Sequence, residues 1–312
     1  MAEIFLQTIN EAARRAPAQL IAEADDSYRA QLDAIAQSIA QSDGVRVVLL
    51  AGPSGSGKTT TANMLRDRLI ARGHPSAVVS LDHFYRNRDE HYPLNPDGSY
   101  DYENVTALQT ELLTRTLLDI IAQRDCALPH YDFKTSTRRD GATPLPARPG
   151  EAVIIEGLHA LNPLITDPLP QANVRKLFIS VSTNVNRADG TRLLSGRKVR
   201  FLRRMTRDYL YRGADAAHTL ALWPNVIAGE ERYLYPYRGR ADHTLNTFHR
   251  YEVGVLRHYA EAMLAACPVQ GNSFLDAVMA AVRQFVPIAP ELVPQTALIR
   301  EFIPGGVYEE LY

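Results

Sequence analysis

The sequence predicts an α/β fold in which a parallel sheet is flanked by helices, and three observations predict it. Short β-branched runs alternate with amphipathic stretches from Val45 onward. The first of these runs leads directly into Gly52-Pro53-Ser54-Gly55-Ser56-Gly57-Lys58-Thr59, a full GxxxxGK[ST] phosphate loop. Two later runs each close on a single acid, Asp82 and Glu156. In an open parallel sheet the C-terminal strand ends border the crevice where ligands sit, so acids placed there face bound substrate.

Residues 1 to 42 carry Leu32, Ile35 and Ile39 at helical spacing in an Ala/Gln-rich background, which predicts two helices broken near Pro17. The first strand covers Val45 to Ala51, and a helix then runs to Arg72, stopped by Gly73 and Pro75. A second strand, Ala77 to Asp82, precedes a helix around Val105 to Gln123; Ala152 to Glu156 and Leu177 to Val181 are further strands. Residues 86 to 103, rich in Asp, Asn and Pro, are predicted to loop over the sheet edge, and residues 139 to 150 look similar. Within the first loop, Asn95-Pro96-Asp97-Gly98 hints at a calcium site, but Pro93 and Asn104 would fall at the first and twelfth positions, so the EF-hand reading fails. Helical patterns return at 197 to 230, 250 to 266 and 273 to 285, before a Pro-spaced tail (Val286, Pro287, Pro290, Pro294) expected to lie back on the body.

Composition narrows the function classes. The 312 residues are 46% apolar and 22% charged, enough for a sizeable core. No apolar run approaches membrane-spanning length and the N-terminus lacks signal-peptide order, so a cytoplasmic protein is expected. The formal net charge of -1 points to neither nucleic acid nor membrane surface. Cys126 and Cys267 stand alone, and no histidine pair has zinc-binding spacing, which argues against a disulfide framework and a catalytic zinc.

The phosphate loop carries the chemistry. Its glycines let backbone N–H groups close round phosphate oxygens, and the helix N-terminus adds partial positive charge. Gly52, Ser54, Gly55, Ser56, Gly57 and Thr60 are therefore expected to hold ATP, with Lys58 reaching its outer phosphates and the Thr59 hydroxyl ligating Mg²⁺. Asp82 is placed to take a proton from an attacking hydroxyl, and Glu156 to hold Mg²⁺ directly or through water. Residues 197 to 212 hold seven basic side chains against Asp208, and on a helix Arg200, Arg203, Arg204 and Arg207 share one face. Such a helix could be a lid that brings charge to the transferring group. It could also grip RNA or a partner, although the near-zero net charge counts against that class. No NKxD signature follows the loop, which argues against a GTPase.

With these residues in hand, the chain resembles the uridine kinase and phosphoribulokinase family, most closely its uridine (uridine–cytidine) kinase branch, over about residues 45 to 265. GPSGSGKTT, SLDHFYR, LPHYDFKTSTR, VIIEGLHAL and FLRRMTRDYLYRG carry the resemblance, with Tyr235-Pro236 and Ala241-Asp242 matching its ending. It implies transfer of the ATP γ-phosphoryl to the 5′-hydroxyl of a nucleoside with Asp82 as base. Tyr85, Tyr131 and Phe133 match the nucleoside pocket, Arg204 a ribose contact, and Asp101 its acidic partner. Arg207 and Arg212 match lid arginines near the phosphates. Ser136 stands where the family places a base-reading histidine, and Ala214 and Leu222 replace polar side chains. Those departures keep open a kinase of another hydroxylated metabolite, such as a sugar phosphate or pantothenate. The organisation so read is an N-terminal helical extension (1–42), a kinase domain (43–268, lid about 197–232) and a C-terminal helix and tail (269–312). The expected partner is a small molecule, with no nucleic acid or membrane, and a homo-oligomer stays open.

Overall fold

The computed structural model describes residues 3–88, 90–95, 98–133 and 135–311. The calcium-loop residues Pro96 and Asp97, and Lys134 of the LPHYDFKTSTR segment, lie outside the described residues.

A short strand β1 (Glu3–Phe5) opens the chain, followed by helices α1 (Leu6–Arg15) and α2 (Pro17–Ala40). Pro17 takes the first helical position of α2, where its missing N–H costs nothing, so the chain breaks there as its sequence predicts. Strand β2 (Val47–Ala51) is buried along its whole length and runs into α3 (Lys58–Ala71) through the phosphate loop. Strand β3 (Ser76–Ser80) and α4 (Thr110–Ile121) form the next unit, and β4 (Cys126–Asp132) pairs antiparallel with β5 (Thr137–Leu145) as a side hairpin. After β6 (Ala152–Glu156) and the single turn α5 (Pro163–Thr166) come β7 (Val174–Ser180) and the short strands β8 (Asn184–Asn186) and β9 (Arg192–Leu194). Helices α6 (Gly196–Arg212) and α7 (Ala216–Tyr233), strand β10 (His243–Asn246), and helices α8 (Glu252–Ala266) and α9 (Ser273–Val282) complete the order.

The main sheet is parallel, in the order β10-β7-β2-β6-β3, so the phosphate loop leaves its central strand. Strand alternation sends Val48 and Leu50 to one face and Val47, Leu49 and Ala51 to the other. Apolar residues of α1, α2, α3, α6, α8, α9 and the C-terminal tail cover the first face, and α4, α5 and their neighbours cover the second. Such double coverage is why β2 reads as a continuous apolar run, and each fully buried Val or Leu there contributes about 1.5–3 kcal/mol.

Several local features differ from the sequence reading, among them the helix expected around Val105 to Gln123, which begins only at Thr110 after a 3-10 turn at Val105–Ala107. Residues 139 to 150 are not all loop, because Thr137–Leu145 is strand β5. Its side chains are mostly exposed and Pro129 falls at the register shift of its partner, so neither strand shows the apolar alternation of a half-buried sheet. The helical pattern at 197 to 230 is two helices. Gly213 at φ +63° ends α6 in the left-handed conformation, and the Asp215 side chain caps α7 by accepting the His218 N–H. Finally, the second predicted strand stops at Ser80, and Asp82 sits in the 3-10 turn Leu81–Phe84, where the Ser80 hydroxyl accepts its backbone N–H at 3.3 Å.

Candidate active site

The phosphate loop closes between β2 and α3, with Gly55 and Gly57 at φ +72° and +90°. Gly57 is the N-cap of α3, so the N–H groups of the first helical turn begin at the loop. A side chain at Gly55 would strike the Arg200 carbonyl at 2.6 Å, so α6 packs directly against the loop. The Lys58 ammonium donates to the Pro53 carbonyl at 3.3 Å across the loop, and the buried Ser56 hydroxyl has no hydrogen-bond partner among the described residues. An unsatisfied hydroxyl inside a ring of amides suits a phosphate oxygen. Thr59 follows in the first turn of α3, its carbonyl accepting from Asn63.

Helix α6 holds this loop in shape. Arg200 and Arg203 do not stand free on a lid face: both are buried, in ion pairs with Glu230 at 2.8 Å and Glu252 at 2.5 Å. Each guanidinium also donates to loop carbonyls, Arg200 to Ser54 at 2.8 Å and Arg203 to Gly55 at 3.2 Å and Ser56 at 3.4 Å, with Tyr235 and Thr247 taking further donors. The Ser54 N–H in turn donates to Glu230 at 2.8 Å. With their charges paired and out of reach, these two arginines cannot grip RNA, which removes the main support for that reading. Arg204 donates to the Ser54 hydroxyl at 2.8 Å and lies 3.2 Å from Asp208. Arg207 lies 3.6 Å from Asp208 and from Glu301, and Arg212 reaches Asp208 at 3.3 Å. Repulsion from Arg207, with burial, lowers Arg212 to about 10. Asp208 pairs with all three and Glu301 with Arg207, and Glu103 and Glu230 also act on Arg204, yet Arg207 and Arg212 still repel each other, a setting that favours an added anion.

The strand-end acids meet at the same place. Glu156 ends β6 and is buried; desolvation pushes it up to about 7, opposed by the Lys58 charge and reinforced by Asp82. Asp82 is exposed at the rim, and its charge also reaches Tyr85 and Arg212. Lys58, Asp82, Glu156 and Arg212 therefore share one electrostatic neighbourhood.

Beside it opens a cavity of about 480 Å³, bordered by Tyr85, Asp101, Tyr131, Phe133, Ser136, Arg204 and Leu222 among others. Tyr85, Tyr131 and Phe133 form an aromatic wall with ring centroids 5.0 to 6.0 Å apart. Tyr131 is buried, whereas Phe133 is 62% exposed at the rim. Asp101 accepts from Tyr233 at 3.2 Å and from Asn104 at 3.3 Å.

The sequence reading missed Glu103, which lines the cavity between Asp101 and Arg204 and feels Arg204 more strongly than any other charge. Desolvation pushes its carboxyl up to about 7. It fits only because residue 229 is glycine, since a Cβ there would lie 2.4 Å from the Glu103 side chain. The Asp-x-Glu spacing at 101 and 103 was the available signal. Glu230, Glu252 and Glu301 were also missed, and no local spacing could have tied them to the loop.

Fold and site together define a P-loop kinase, a phosphotransferase with an alcohol group as acceptor. The comparisons with known proteins agree with the resemblance read from the motifs. The model of the phosphoribulokinase / uridine kinase family matches residues 47–189. A uridine kinase of Bacillus cereus is 27% identical over 198 residues, 63% of this chain and 82% of its own length. One of Staphylococcus aureus is 26% identical over 63% of this chain and 84% of its own. Among solved structures, a possible uridine kinase from Bacillus stearothermophilus aligns at 20% identity and a TM-score of 0.48 over 70% of this chain and 98% of that one.

Proposed function

We propose that this kinase transfers the γ-phosphoryl of ATP to the 5′-hydroxyl of a nucleoside of the uridine or cytidine kind. The observation that carries the reading is Arg204, which bonds the phosphate loop through Ser54 and also lines the aromatic cavity. Donor and acceptor seats therefore share a wall, as in-line transfer requires. Asp82 at their junction takes the proton of the attacking hydroxyl, and Lys58 with Arg207 and Arg212 supports charge on the transferring group. Thr59 and Glu156 would hold Mg²⁺, which would supply neutralising charge beside the outer phosphates. The buried Glu156 fits that task, because a carboxyl pushed up to about 7 by desolvation gains from a nearby cation. Tyr85, Tyr131 and Phe133 stack on the base, while Arg204 with Glu103 and Asp101 takes the ribose hydroxyls. ATP as donor suits a cytoplasmic setting, with residues 43–268 as the kinase unit.

A second reading rests on one observation. Arg88 and Arg232 also border the cavity. These features suit an anionic hydroxylated acceptor such as a sugar phosphate or pantothenate. The test of both is ADP release from ATP and Mg²⁺ with a panel of nucleosides and anionic metabolites. Turnover with a pyrimidine nucleoside supports the first reading; turnover confined to anionic acceptors replaces it with the second.

A further inference from the structure

We infer that Glu301 is a built-in competitor of the nucleotide: its carboxylate occupies a seat that a phosphate of ATP takes, and must leave it for the donor to bind. This inference rests on the kinase reading above.

The first turn of α3 presents backbone N–H groups with no partner in their own helix, and in a phosphate loop these receive the ligand's oxygens. One of them is already taken. The Thr60 N–H donates to the Glu301 carboxylate at 3.0 Å, from a residue 241 positions away. The other carboxylate oxygen lies 3.6 Å from Arg207, one of the cations expected to face phosphate. Glu301 thus accepts from an amide and sits at ion-pair distance from a guanidinium at once, between the two kinds of group that a phosphate would use.

The segment that delivers it is built to stay. Leu298, Ile299, Phe302 and Ile303 are each 0–1% exposed. Arg300 ties the segment to itself, donating to the Pro290, Val293 and Pro304 carbonyls. Leu298 packs on Gly57, where an added Cβ would lie 3.0 Å from its methyl groups, and Phe302 lies under the Arg203 guanidinium at 5.1 Å. The tail backbone is therefore anchored, and the Glu301 side chain, itself buried, is the part that has to turn aside. Until it does, its charge repels the incoming triphosphate. While seated it accepts the Thr60 N–H and offsets the Arg207 charge.

The test is titration calorimetry of ADP on the full chain and on Glu301→Gln, which keeps the side-chain shape and removes the charge. The expected result is a Kd about tenfold lower in the variant, since a like charge leaves the site. An unchanged or higher Kd in a folded variant overturns the inference and leaves the kinase reading intact. Absence of ADP binding by both proteins overturns the inference and the kinase reading together. Should Glu301→Gln fail to fold, Glu301→Asp decides, because its shorter carboxylate no longer reaches the Thr60 N–H: a lower Kd for ADP is expected, and an unchanged or higher Kd overturns the proposal.

Discussion

The two halves of the site are built in opposite ways. On the phosphate side, loop carbonyls are captured by buried guanidiniums whose own charges are paired with Glu230 and Glu252. On the acceptor side the wall is aromatic and partly open, with Phe133 and Tyr102 exposed and Tyr85, Tyr131 and Glu103 held beneath them. The difference follows from what each half must recognise. A phosphate group is the same in every donor, so its cradle can be rigid and preorganised. An acceptor is recognised by surface, and surface residues can be exchanged without disturbing the core.

Substitutions on the two sides should therefore fail differently. The largest effect is expected from Lys58→Ala, which removes the cation over the outer phosphates and should cost about 10³-fold in kcat/KM whatever acceptor is used. A rate within a factor of a few of wild type would break the assignment of the cradle. Next, Asp82→Asn should lower kcat by about 10² or more while ADP affinity stays unchanged, because a positioned base is lost and nothing in the cradle moves.

Stability should separate the halves as well. Arg203→Met leaves Glu252 buried without its partner and should destabilise the fold by about 3–5 kcal/mol in urea unfolding. Phe133→Ala, at an exposed rim, should stay within about 0.5 kcal/mol of wild type yet raise the acceptor KM several-fold. If Phe133→Ala unfolded the protein and Arg203→Met did not, the contrast between the two sides would be reversed.

The smallest effect concerns pH. Glu103 titrates at about 7 in the folded protein against its ordinary 4.5. The folded state therefore keeps a proton that the unfolded chain has released, and this group's contribution to stability falls as pH rises through that window. Glu103→Gln should gain Tm relative to wild type at pH 8 and match it more closely at pH 5. If Glu103 binds acceptor hydroxyls as a carboxylate, the wild-type acceptor KM falls as pH rises through 7, and the variant lacks that dependence.

The same contrast explains what could be read from sequence. The β2-loop-α3 unit was legible because local chemistry dictates it: an all-apolar strand, glycines at φ +72° and +90°, and a lysine and threonine at the helix start. Glu156 was legible for the same reason, as the acid ending a buried strand. The 4–5 hairpin was not, since its exposed strands carry no apolar alternation and Pro129 breaks the pattern. Nor could spacing show that Arg200 and Arg203 face inward, because their partners Glu230 and Glu252 lie on other helices. Helical periodicity groups the arginines on one face but says nothing about what that face meets.

The most direct measurement follows the transferred group itself. Wild-type protein and Asp82→Asn would be incubated with ATP labelled on its γ-phosphate, Mg²⁺ and a mixture of nucleosides, and the labelled products separated. Label should appear in a nucleoside 5′-monophosphate with the wild-type protein and almost vanish with Asp82→Asn. Label released only as inorganic phosphate, or equal transfer by both proteins, would contradict a site in which the cradle and the aromatic cavity meet at Asp82.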